Sequence, residues 1–231
     1  MRNSKLLPLL IIAVIVLGLV AIRIFNDASS DSRNTTSAPV QETPLNNPAT
    51  VLPDLVIGEA SALITIEEFG DYKCPSCNRF HQDAYQELEN THIASGKVKL
   101  VYRNLPYIAD DSRVAALGAY CANEQNIFKD YHNGVFTFLW ENYYQSGETS
   151  AEFENILTID VLAAIVVDAK GDDTDFTDCV DSARWQHAVD RDLALSEQKQ
   201  VYGTPTFIIG SQTIVGPQNF NFFNTIIEAQ Q

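Results

Sequence analysis

The sequence predicts an α/β domain with a block of helices inserted into it, carried behind an N-terminal apolar span. Three observations predict this. Short segments rich in β-branched residues stand early and late in the folded part of the chain but not in its middle. The middle holds apolar residues at helical spacing. One apolar run opens the chain and is followed by a polar stretch with no hydrophobic period.

The 231 residues suit one large domain or one domain with an appendage, and 45% hydrophobic residues are enough for a packed core. Charged residues make up 19%, too few for a disordered, highly charged chain. A net charge of −15 excludes nucleic acid as a partner, because phosphate binding needs clustered Lys and Arg.

Leu6 to Ile22 is apolar apart from Pro8 and Gly18, with Arg2 and Lys5 before it and Arg23 after it. Its length lies where signal-peptide cores and membrane spans overlap. No good small-x-small cleavage pattern follows it, and no nearby cysteine could carry a lipid. The reading is an uncleaved anchor over residues 1–25; a removed signal peptide is the alternative. The flanking charges set the N-terminus in the cytoplasm and the rest of the chain outside the cell membrane. Residues 26–53, rich in Ser, Thr, Asn and Pro, read as a flexible linker. Residues 54–231 read as the folded domain, with the helical insertion at about 108–184.

Leu63 to Phe69 reads as a strand. It runs into Cys74-Pro75-Ser76-Cys77 and then into a helix with Phe80, Ala84, Tyr85 and Leu88 on one face. Val98, Leu100 and Tyr102 alternate in a second strand. Ser112 is positioned to cap a helix through Val114, Leu117 and Cys121, and Ile127, Tyr131, Val135 and Phe138 continue an apolar face. Further helices are expected over Val161 to Ala169, around Phe176 and Cys179, and from about Arg184 to Val201. Thr206–Ile209 and Thr213–Val215 flank a turn, and a last helix holds Phe222, Phe223, Ile226 and Ile227.

Cys74-Pro75-Ser76-Cys77 stands between a strand and a helix. Cys74 therefore falls at the helix N-terminus, where free N–H groups and the dipole favour a thiolate. Pro75 suits the first turn, having no N–H to leave unpaired. Two intervening residues let Cys77 reach Cys74, so one sulfur can attack a disulfide and the other resolve the mixed intermediate. Half of a zinc site is the competing reading. It needs a second CxxC or a Cys–His pair. Cys121 and Cys179 are isolated, and His81 reads as an exposed helix residue. No metal and no cofactor are expected.

Glu68 lies in an otherwise apolar strand. Half-buried there, it would have a raised pKa and could exchange protons with Cys77. Glu67 points to the opposite face by alternation. A solvent-facing strand-edge glutamate is the alternative for Glu68. Pro205 begins a strand; from pattern alone an ordinary trans proline is expected. A cis Thr204–Pro205 bond would instead expose the Thr204 backbone to a passing chain.

A strand with a glutamate, CPSC opening a helix, a helical insertion and GTPTFIIG before the last hairpin resemble the DsbA-type branch of the thioredoxin family. The similarity runs from about Asp54 to Ile227, and is nearest to anchored bacterial enzymes that also have CPSC and Thr before the proline. The resemblance implies a thioredoxin fold with a helical insertion. It places the redox pair on Cys74 and Cys77, the buried glutamate on Glu68 and the cis-proline on Pro205. It implies substrate contacts at Thr204, Pro205, Pro75 and Ser76, and a structural Cys121–Cys179 disulfide. The implied substrates are reduced exported polypeptides, and the implied partner is a membrane protein that reoxidises the pair. One departure stands out: strong oxidants of the family have histidine before the second cysteine, and this chain has Ser76. That bears on oxidising strength. A reductase or isomerase of the cell envelope, or a non-catalytic binding module, are the competing readings.

Overall fold

The computed structural model describes residues 52–230. The expected anchor over Leu6 to Ile22 and nearly all of the linker lie outside them. Among the described residues no helix is long and apolar enough to cross a membrane.

The frame is a five-stranded sheet in the order β1-β3-β2-β4-β5. β1 (Leu55–Ile57) was not expected from the sequence, because three residues are too short to show alternation. β2 is Ile64–Gly70, β3 is Val98–Asn104, β4 is Thr206–Ile209 and β5 is Gln212–Val215. β2 and β3 are parallel; the remaining neighbours are antiparallel. β2, at the centre, is buried along nearly its whole length, and it leads directly to the CPSC segment.

Helix α1 starts at Pro75–Phe80 and continues through π-helical His81–Tyr85, then Gln86–Leu88 and π-helical Glu89–Ile93. It returns the chain to β3 as a crossover between parallel strands. Phe80 packs in tilted arrangements on Phe207 of β4 and on Phe223, with ring centroids 4.5 and 5.4 Å apart. That joins α1 and the final helix α7 (Phe220–Glu228) to one face of the sheet. Burying aromatic side chains in this way contributes roughly 2–3 kcal/mol each.

The inserted helices are α2 (Asp110–Glu124), α3 (Phe128–Asn142), α4 (Ile159–Asp168) and α5 (Asp173–Asp181). Ser112 does not cap α2. It occupies the third helical position, where its Oγ accepts from Ala109 N at 3.3 Å, and the helix begins two residues earlier at Asp110. Thr158 and Asp172 cap α4 and α5, accepting from Val161 N and Asp175 N. Cys121 of α2 and Cys179 of α5 are joined by a disulfide. Helix α6 (Gln186–Gln198) is shorter at each end than expected and covers the second face of the sheet. There Leu193 and Leu195 pack near Phe69, Leu105 and Val201.

Candidate active site

The local fold explains why Cys74 stands where it does. It is the N-cap of α1, with extended backbone, and Pro75 follows in the first turn. Pro75 and Ser76 are half-buried at the rim. The sulfur of Cys74 lies 3.5 Å from the carbonyl oxygen of Thr204. The Thr204–Pro205 peptide bond is cis, unlike the trans bond that pattern alone suggests. The strand-to-helix turn and the turn before β4, 130 residues apart in sequence, thus meet at one sulfur.

The two cysteines differ in environment. Cys74 is 6% exposed and Cys77 is fully buried. The Cys74 thiol is lowered to about 6, first by the hydrogen bond from the Cys77 side chain, then by Thr204 and the amides of Cys77 and Ser76, against the opposing effect of burial. Burial pushes the Cys77 thiol well up, and the nearby Cys74 and Glu68 push it further. At neutral pH the reduced pair is one thiolate and one thiol.

Glu68 is 1% exposed, which removes the solvent-facing alternative. It sits on β2 opposite Tyr102 of β3 and Phe207 of β4. Burial, then the charge of Cys74, raise its carboxyl to about 8. Glu67 does point to the other face, where Arg103 Nε donates to it at 2.9 Å and Lys199 pairs with it. Two adjacent glutamates thus differ: one is salted by two cations, the other kept protonated by burial.

His81 is not the exposed residue expected. It is buried between Tyr85 and Phe136, with ring centroids 4.6 and 4.8 Å away, and its pKa is lowered to about 4 by burial. The reason is α3: it packs on the helix face that His81 occupies and covers it, a contact invisible to local spacing. Among the described residues no group of three His, Cys, Asp or Glu side chains is placed to hold a metal ion.

Sequence reasoning missed Lys73 and Asp111. Lys73 is fully buried beside Cys74 and donates to Asp111 Oδ2 at 2.9 Å and to the Glu154 carbonyl. The same Asp111 oxygen accepts from Ile156 N and Leu157 N, each at 2.8 Å. Asp71 in turn accepts from the amides of Lys73, Tyr107 and Ile108 at 2.9, 3.0 and 3.1 Å. Tyr144 Oη donates to the Lys73 carbonyl at 2.7 Å. Together these bonds fasten the helical insertion to the segment that carries Cys74. A lysine in a polar stretch gives no sign of burial; only its partner, 38 residues on, makes burial possible.

The family model described as Thioredoxin matches residues 50–229. Disulfide bond formation protein D of Bacillus subtilis is 26% identical over 173 residues, covering 75% of this chain and 73% of that protein. The crystal structure of oxidised BdbD from Bacillus subtilis superimposes with a TM-score of 0.67 at 25% identity, over 77% of this chain and 92% of that one. Alpha-DsbA1 of Wolbachia pipientis, at 18% identity, shares the fold with a TM-score of 0.63 over 78% of this chain and 92% of its own. With a buried, asymmetric cysteine pair at the head of α1, a cis proline against it and this span of similarity, the chain belongs to the thioredoxin family, in its DsbA-type branch of thiol–disulfide oxidoreductases.

Proposed function

We propose that this chain forms disulfide bonds in exported polypeptides, accepting two electrons per bond on Cys74 and Cys77. The carrying observation is the asymmetry of the pair. A thiolate stabilised at about 6 makes Cys74 a good leaving group and favours the reduced form, which is the property of an oxidant.

The different environments of Cys74, Cys77 and Glu68 support the following steps. A client thiolate attacks Cys74 Sγ, the more exposed sulfur. The Cys74–Cys77 bond breaks, and Cys77 leaves and takes the Glu68 proton. A second client thiolate attacks the client sulfur of the mixed disulfide, and Cys74 leaves as a thiolate. The client is oxidised and the pair reduced. Two protons leave the client thiols; one remains on the enzyme and one goes to solvent. Pro205, Thr204, Pro75 and Ser76 form the rim against which the client backbone lies. A membrane redox partner takes the two electrons back.

The reading extends to the whole chain. Residues 1–25 anchor it through Leu6 to Ile22, residues 26–53 tether it, and the domain over 54–231 works outside the cytoplasm. The Cys121–Cys179 bridge supports that compartment, since disulfides persist where the surroundings are oxidising.

The test has two parts. Cys77→Ser should accumulate mixed disulfides with client proteins through Cys74, and Cys74→Ser should trap none. The reduction potential of the pair should lie near −120 to −180 mV, which makes the pair about 10³- to 10⁵-fold more oxidising in equilibrium constant than reductases at about −270 mV. A potential at the reductase end, or trapping by Cys74→Ser alone, defeats the proposal.

A further inference from the structure

Cys74 and Cys77 are free thiols, so the structure shows the reduced pair. In the oxidised pair a covalent bond fixes the place of the Cys74 sulfur. In the reduced pair that place is held by hydrogen bonds alone, from the Cys77 thiol, Thr204 and the amides of Cys77 and Ser76. Such bonds are directional and weaken steeply when misaligned. They form together only if the Cys74 backbone presents its side chain at one angle. The peptide group joining Lys73 to Cys74 is a rigid plane, and turning it swings the Cα–Cβ bond of Cys74.

That peptide group is held at both ends. The Cys74 amide donates to the Asp71 carbonyl at 3.0 Å, a bond local to the redox segment. The Lys73 carbonyl accepts from Tyr144 Oη at 2.7 Å, across 71 residues. Among the described residues, Tyr144 is the one side chain from outside the redox segment that bonds to the backbone of Lys73 or Cys74. The side chain of Lys73 is gripped separately, by Asp111 and the Glu154 carbonyl.

The chain around Tyr144 is built to aim it. Tyr144 is buried and opens a single 3-10 turn, Tyr144–Ser146, just after α3. Ser146 Oγ donates to the Tyr143 carbonyl at 2.8 Å, and Gly147 N donates to the Tyr144 carbonyl at 3.0 Å. Gly147 closes the turn at φ +83°, in the left-handed region that favours glycine. Burial raises the Tyr144 phenol, and the charges of Glu152, Cys74, Asp71 and Asp111 raise it further. The hydroxyl therefore remains a donor wherever exchange runs, and it lies near enough to Cys74 to feel its charge.

We propose that Tyr144 is a positioning residue for thiol exchange: by holding the Lys73 carbonyl it fixes the peptide before Cys74, keeps the reduced sulfur on its hydrogen-bond donors, and so makes the pair more oxidising. The insertion then tunes the redox pair as well as packing beside it. Tyr144 acts through the backbone and exchanges no proton. The role requires only thiol–disulfide exchange at Cys74 and Cys77, whichever way the electrons flow in use. Losing the bond leaves a buried carbonyl unpaired in both redox states, and the part common to both cancels in the potential. What remains is the extra loss in the reduced state, where no covalent bond holds the sulfur.

The test is the equilibrium of the full-length chain with glutathione, read by alkylation of Cys74. The Cys74–Cys77 bond breaks as two glutathione thiols join in a disulfide, so electrons and protons balance. Tyr144→Phe removes one oxygen and keeps the ring. It should shift the equilibrium constant about fivefold toward the oxidised pair, which is about 20 mV. Urea titrations of the two redox forms close the cycle: the reduced form should lose more stability than the oxidised form by the same factor. A tyrosine with a merely structural role weakens both forms equally and leaves the potential unmoved, and that result overturns the proposal. A shift toward the reduced pair overturns it as well. Where Tyr144→Phe does not fold, Gly147→Ala takes its place, since it strains the turn while its Cβ meets no atom within 4 Å. A lowered potential there supports the role, and an unchanged or raised one overturns it.

Discussion

Cys74 and Glu68 are both displaced in ionisation by the fold in ways that bear on exchange, and they shift in opposite senses. Cys74 is lowered because its thiolate collects hydrogen bonds at a helix start. Glu68 is raised because no comparable bonds offset its burial. The consequences for stability have opposite signs. Stability contributed by the Cys74 thiolate is full above its ordinary value of 9.0 and is lost as pH falls through about 6. For Glu68, the unfolded chain ionises from 4.5 upward while the folded one holds its proton to about 8. Stability is therefore lost as pH rises through that window. Glu68→Gln removes this loss. In urea titrations of the reduced protein, the variant's stability relative to the parent should grow from about pH 4.5 to about pH 8 and then level off. A constant difference across that range would mean that the carboxyl ionises normally in the fold.

At the scale of elements, one covalent fastening ties two helices of the insertion together and one ionic fastening ties the insertion to the segment that carries Cys74. The disulfide joins α2 to α5 across a separation of 58 residues. Closing a loop of that length removes unfolded-state entropy worth about 4 kcal/mol. Replacing Cys121 and Cys179 together with Ala should lower the melting temperature by several degrees and leave thiol exchange by Cys74 and Cys77 intact. An equal loss of exchange would tie the bridge to the chemistry. The ionic fastening is Lys73 with Asp111, both fully buried. Asp111→Ala strands a buried ammonium and two amides at once, so a destabilisation of roughly 3–5 kcal/mol is expected in denaturant titrations. Amide exchange at Ile156 and Leu157 should quicken with it. A surface-like loss below about 1 kcal/mol would show that the pair is readily solvated.

At the scale of the whole molecule, the redox domain and the N-terminal run make one joint prediction. The mature protein should partition with the membrane fraction and keep its first or second residue, with the domain on the outer side. N-terminal sequencing that starts between Ala21 and Ser30 would instead describe a released enzyme. The net charge of −15 over the whole chain disfavours association with other polyanions.

The sequence by itself was enough for the α/β order, the inserted helices and the place of Cys74 at a helix start. These are local facts: strand alternation, helical spacing, and a proline that fits only a first turn. It also sorted Glu67 from Glu68, because alternation puts neighbours on opposite faces. Only the tertiary structure decided what depended on distant partners. The cis bond at Pro205 lies against Cys74 from the far end of the chain. The burial of His81 comes from α3, that of Lys73 from Asp111 on α2, and the role of β1 from its pairing with β3. In each case the residue's type says one thing and its neighbours another. Desolvation and hydrogen bonding are set by what packs alongside, and a sequence read along its length does not contain that until it is folded.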